Sequence, residues 1–155
     1  MAPLTSEPRR RRWAAERGAE LIEFALVLPI LLLVLAGILD MGFLFKDYQV
    51  VTNAAREGAR MASLPGWVQG DVVTRVNNYL TAGGLQGAAT TTIDNVVLVT
   101  DPTSGRSING IKVTVAYPHT YLILGPISQL VQGVSVPNAT LKAVATMRVE
   151  AAAGL

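Results

Sequence analysis

The sequence predicts an α+β protein: a long N-terminal transmembrane helix continuing into a small head with a short helix and about three antiparallel strands. Three observations predict it. From Phe24 to Leu39 sixteen consecutive residues carry neither charge nor a polar side chain. The helix-permissive run after them, KDYQVVTNAAREGARMAS, ends at Leu64-Pro65-Gly66, where proline and glycine terminate helices. Beyond Thr91 the pattern changes from helical to β: Thr91–Thr100 is rich in Thr, Val and Ile, and side chains alternate in Ile111–Tyr117 and Ala139–Val149.

Residues 1–18 form a leader, MAPLTSEPRRRRWAAERG, rich in proline and arginine at first and expected to be disordered and cytoplasmic. It holds five arginines and two glutamates, net +3, whereas the whole chain is +2; residues 19–155 therefore sum to −1. The basicity belongs to the leader. A nucleic-acid-binding head is not supported, because no basic patch with interleaved aromatics follows residue 63.

The next 27 residues, 19–45, are the expected transmembrane helix. Twenty-five residues from Leu21 to Phe45 rise about 37 Å, enough for a hydrocarbon core of about 30 Å. Pro29 lies about two turns in, where it frees a carbonyl and kinks the helix. Arginines precede the span and only Lys46 follows it closely, which puts the N-terminus inside and the head outside. Residues 46–63 continue the helix beyond the membrane. There Val51, Ala55, Ala59 and Ala62 recur at intervals of three and four as a small-residue stripe.

Residues 64–155 make the extracytoplasmic α+β head. Gly70 to Thr81 predicts a short amphipathic helix, with Val68, Val72, Val73, Val76, Tyr79 and Leu80 largely on one face and Gly83-Gly84 as its cap. Thr91–Thr100 predicts a strand. Asn109-Gly110 is a turn signal, and Ile111, Val113, Val115 and Tyr117 alternate with polar neighbours until Pro118 ends the strand. Tyr121–Gln132 predicts a short helix or a packed loop. Ala139–Val149 is the last strand, with Leu141, Ala143, Ala145, Met147 and Val149 facing one way. Three strands need a helix over their apolar face, and both the short helix and the upper part of the long one are available.

No catalytic, cofactor or metal site is expected. The chain has no cysteine and a single histidine, His119, placed in a loop with no acid or nucleophile pattern. The acids of the head, Asp71, Asp94, Asp101 and Glu150, are scattered. The informative polar residues lie along the long helix. Glu23 either reaches the interface beside Arg17 or pairs with an N-terminal amine of another chain, which would offset the cost of a carboxylate at membrane depth. Asp40 lies either at the outer interface or against a partner helix. Arg56 and Arg60, one turn apart around Glu57, form either a solvated face or a docking surface. Pro29, Asp40, Arg56 and Arg60 join Glu23 as helix-packing and assembly candidates.

Gly18 is followed by Ala19-Glu20-Leu21-Ile22-Glu23-Phe24. A glycine before an apolar helix, with glutamate five positions on and an aromatic next, resembles the prepilin-peptidase site of type IV pilin-like proteins. More closely, RGAELIEFALVLPILLLVLAGILDMGFLFKDYQVVTNAAREGARMAS resembles the TadE-like pseudopilins of tight-adherence pili, and AYPHTYL and ATLKAVATMRVE are similar to the same family. Phe24 stands where that family's motif commonly has tyrosine. The resemblance implies a pilin-like minor pseudopilin, cut after Gly18 so that Ala19 becomes the N-terminus, with Gly18, Ala19, Glu23 and Phe24 as the processing site. It implies residence in the cytoplasmic membrane and, as partners, other pilin and pseudopilin subunits, a prepilin peptidase and the pilus assembly platform. The rival expectations are a pseudopilin of a related secretion apparatus and an uncleaved, membrane-anchored extracytoplasmic binding module.

Overall fold

The computed structural model describes residues 9–87, 89–100, 102–103, 105, 107–130 and 136–149. Its elements, in chain order, are α1 (Arg9–Ala62), α2 (Gln69–Ala82), β1 (Thr90–Thr100), β2 (Ser107–His119), α3 (Leu124–Leu130) and β3 (Ala139–Arg148). Chain contacts divide them into two compact units, Met1–Leu39 and Asp40–Leu155, with α1 contributing to both.

The first unit is the N-terminal part of α1. The helix begins at Arg9, earlier than expected: residues 9–18 of the leader are helical rather than disordered. The run RRRRWAAER contains neither proline nor glycine, and arginine, alanine and glutamate are good helix formers. Pro29 stands inside the helix and supplies no N–H to the carbonyl of Ala25. Leu21, Ile22, Leu26, Ile30, Leu31, Leu32, Leu33 and Ile38 are all more than half exposed. A helix with so many large apolar side chains exposed is suited to a lipid surround. The segment Glu20–Ala62 is long and apolar enough to cross a membrane, as a single-pass anchor requires.

The second unit is a three-stranded antiparallel sheet in the order β1-β2-β3, covered on one face by helices. The core joins Val51, Ala54, Ala55, Ala59 and Ala62 of α1 to Val72, Val76 and Leu80 of α2. Ile111, Val113, Val115 and Tyr117 of β2 and Leu141, Ala143 and Ala145 of β3 complete it. The alanine stripe is thus the face of α1 that lies in the core. Small side chains there let the helix backbone come close, and at Gly58 the approach leaves no room for a side chain. A Cβ at Gly58 would stand 2.7 Å from Val76 Cγ2 and 3.3 Å from Val113 Cγ1, one on α2 and one on β2.

Most elements fall where the sequence puts them, but three details differ. On α2 only Val72, Val76 and Leu80 are buried; Val68 and Tyr79 are exposed, because the helix meets the core along a narrower stripe than its apolar face offers. Its end is capped as expected, with Gly84 at φ +82° after the last turn. Asn109-Gly110 is not a turn. It lies inside β2, where the missing side chain at Gly110 leaves room for Leu98, whose Cγ would be 2.7 Å from an added Cβ. Nor does Pro118 end the strand. Pairing of β1 with β2 begins at Thr90↔Ala116, so beyond Ala116 β2 has a neighbour on one side only, and a proline there costs no ladder bond on the open side. The strand runs on through Pro118↔Thr140 to His119↔Ala139. Finally, Tyr121–Gln132 resolves into α3 at Leu124–Leu130, with Gly125 and Pro126 in its first turn, where proline is tolerated.

Gly58 gives a direct test of this packing. Valine Cγ atoms are short and stiff and cannot swing away cheaply. Gly58→Ala is expected to lower stability despite a helix-propensity gain of about 1 kcal/mol, and Gly58→Leu to lower it further, by about 1–3 kcal/mol. Thermal unfolding of both variants in the same detergent checks the order.

Candidate functional site

The buried stripe on α1 does not begin at Val51. Asp40, Leu44 and Asp47 continue it at intervals of four and three, so two carboxylates share the face that carries the alanines. Asp40 is fully buried. Its carboxylate accepts hydrogen bonds from the backbone N–H groups of Leu122 (3.1 Å), Ile123 (3.1 and 3.2 Å to its two oxygens) and Leu124 (2.7 Å). These donors lie at the entry to α3, where backbone N–H groups have no partner within the helix. Asp40 satisfies them as a capping side chain would, but from another helix some eighty residues earlier in the chain. The acid expected at the outer interface or against a partner helix is thus bound by backbone groups of its own chain.

Two turns along, Asp47 binds the end of β2. Its Oδ2 lies 2.8 Å from His119 Nδ1, which therefore carries the proton and donates it to the carboxylate. His119 is 4% exposed, at the end of a strand and not in a loop. The ring of Tyr121 meets it edge-on, with centroids 5.4 Å apart. Among the described residues the other ring nitrogen, Nε2, is buried without a hydrogen-bond partner. Through Nδ1 the ring ties the end of β2 to α1. Tyr117 stands nearby, its hydroxyl donating to the Gln86 carbonyl at 3.0 Å. Burial raises its phenol pKa, and the negative charge of Asp47 raises it further. Asp40 and Asp47 thus fasten residues 119–124 to α1 at two points. Among the described residues no three His, Asp or Glu side chains converge as metal ligands would.

A third polar tie joins α1 to α2. Glu57 accepts hydrogen bonds from Arg60 (3.1 Å to each oxygen) and from Arg75 (2.7 and 3.1 Å). The bonds from Arg60 first, then those from Arg75, hold its carboxyl down at about 2, against a partial opposing effect of burial. Arg60 is therefore engaged. Among the described residues Arg56 makes a long 3.5 Å bond to Asn53 and lines a shallow exposed groove with Phe45, Tyr48, Gln49, Thr52 and Asn53.

In the first unit Gly18 lies within α1 with open space where a Cβ would be, and Glu23 is exposed on the same helix. Phe24 is 57% exposed. Ala19 follows Gly18 in the helix. Residues 18–60 match the family model for TadE-like proteins. The match lies wholly within α1 and takes in Gly18, Ala19, Glu23, Phe24, Pro29, Asp40, Arg56 and Arg60; at the family level it is to pilus-associated proteins. No curated protein and no solved structure matches the chain.

Sequence reasoning missed the Asp47–His119 bond and the use of Asp40. The signal was present: two acids seven residues apart, in phase with the small-residue stripe. What the pattern could not supply was the partner, because a row of backbone N–H groups has no sequence signature.

Two measurements test these ties. Asp40→Ala leaves three N–H groups without their acceptor at about 1–3 kcal/mol for each buried orphan; the amides of Leu122, Ile123 and Leu124 should exchange with solvent faster, ahead of those of β2. Glu57 is a depressed carboxylate, so its stabilisation is present above its ordinary value of 4.5 and is lost as pH falls toward about 2. The urea midpoint should drop through that window in the native chain and drop less in Glu57→Gln.

Proposed function

We propose that this chain is a minor pseudopilin-like structural subunit that takes part in assembling a tight-adherence type surface pilus. It resides in the cytoplasmic membrane as a single-pass protein with its N-terminus inside and its head outside. Prepilin peptidase cuts it after Gly18, and it works through other pilin and pseudopilin subunits and the assembly platform, without a cofactor and without catalysing a reaction. The observation that carries this reading is the family match over residues 18–60, which joins the Gly18 junction to the exposed apolar helix and to the small-residue stripe.

The residues support each step. Gly18 lies in α1, and a protease needs an extended backbone. Glycine costs a helix about 1 kcal/mol relative to alanine, so the turn at Gly18 is the cheapest in its neighbourhood to open. After the cut Ala19 carries a free amine. Glu23 lies four residues along and is exposed, with no partner in its own chain among the described residues. It is available to the amine of a neighbouring subunit, which would fix the axial register between helices. Arg56, exposed beside Phe45 and Tyr48, belongs to a surface that other pilus components can reach.

Mass spectrometry of the protein from membranes and from sheared pili tests the whole reading. A mature terminus at Ala19 is the expected result; an intact leader in cells with active prepilin peptidase would favour the uncleaved anchored binding module. Glu23→Gln is expected to insert and be cut normally yet to leave cells without assembled pili, and normal piliation would remove the amine-pairing role.

A further inference from the structure

The sheet of the head is open at both sides. In the order β1-β2-β3 no described strand pairs with the outer edge of β1 or of β3. Both edge strands are long, eleven and ten residues. Long free edges present rows of unpaired N–H and C=O groups and invite pairing with another chain. The two edges are also unlike. The only charged residue of β1 is Asp94; those of β3 are Lys142 and Arg148. Asp94 lies 3.2 Å from Lys112 and remains 44% exposed, whereas among the described residues Lys142 and Arg148 have no ion-pair partner.

We propose that β3 of one copy of this chain pairs with β1 of a second copy, extending the sheet from head to head. Charge selects this pairing over the alternatives. Two β3 edges would bring cations together, and two β1 edges would offer Asp94 only to its own like, whereas β3 against β1 sets lysine beside aspartate. Direction agrees. Both β1 and β3 run antiparallel to β2, so they run parallel to each other, and two copies in the same orientation bring the two edges together in the parallel sense. One register satisfies several features at once. With Asp94 beside Lys142 on the solvent face of the sheet, Val96 falls beside Val144, which is 54% exposed, and Thr92 beside Thr140. The same register overlaps the strands along the whole of β3. It also covers an edge whose far end, Val97, Leu98 and Val99, is otherwise apolar and exposed. Such a contact joins different surfaces of the two copies, so it does not close on itself and can repeat along a row. The contact requires only copies of like orientation, and neither cleavage after Gly18 nor a role in pili enters the argument.

The absence of cysteine makes the test clean. Two full-length chains of different tag size, one carrying Thr92→Cys and the other Thr140→Cys, are reconstituted together in vesicles and oxidised. Both substitutions lie at exposed positions, and circular dichroism of each chain confirms that it folds. The mixed disulfide should exceed either self-disulfide and that of a Thr74→Cys control on α2. Adding Lys142→Glu to the Thr140→Cys chain should reduce the mixed product about threefold, and Asp94→Lys in the Thr92→Cys chain should restore it. Predominant self-linking of Thr92→Cys would instead establish a two-fold edge contact and overturn the proposal. Equal yields in all pairings, or no cross-link in any, would overturn it as well.

Discussion

Asp40 is a carboxylate withdrawn from water directly after sixteen residues that contain no polar side chain. A charge in that position is affordable only if several donors surround it. Three backbone N–H groups at residues 122–124 do so. Much of the head follows from that requirement. The segment between β2 and β3 must return to the start of the head's portion of α1, and β2 must run past the end of its pairing with β1 to get there. His119 then arrives opposite Asp47, two turns from Asp40, and the second tether forms. The benefit runs both ways: the aspartate is solvated by protein, and the short helix α3 has its first turn satisfied.

Beyond those tethers, closeness replaces bulk. The face of α1 in the core is made of alanines, one valine and Gly58, against valines from α2 and β2. Such an interface buries little area per residue of α1. It depends on many short contacts, each weak alone and together large. That explains why a single added methyl group at Gly58 is expected to matter, and why Glu57, on the neighbouring helix position, is pinned by two arginines instead of being left to solvent.

The architecture was legible because it rests on periodicity. The apolar run, the alanine stripe, α2 and the alternation in β2 and β3 each repeat a period that the backbone geometry dictates. Local punctuation was less reliable. Asn109-Gly110 has the chemistry of a turn but serves as a gap for Leu98, and Pro118 has the chemistry of a stop but sits where the strand has already lost one neighbour. In both cases tertiary pairing decided what the dipeptide meant. Residues 1–8 of the leader lie outside the described residues; over residues 9–18 the arginines suggested an unfolded tail, while their helix propensity carried α1 back to Arg9. Of the candidate residues along α1, Asp40 was recognised as notable without its partners being foreseeable, since those partners are main-chain atoms. The Asp47–His119 bond was visible only as phase, and phase names no partner.

The separation between Asp40 and its donors, 82 to 84 residues, also sets an order of events. At about 5–20 residues per second, synthesis brings Leu124 out several seconds after Asp40 has left the ribosome. Through that interval the Asp40 carboxylate lacks its amide donors and has only water to solvate it. The polar tie between the start of the head and its later half is therefore made only once the segment after β2 has been synthesised.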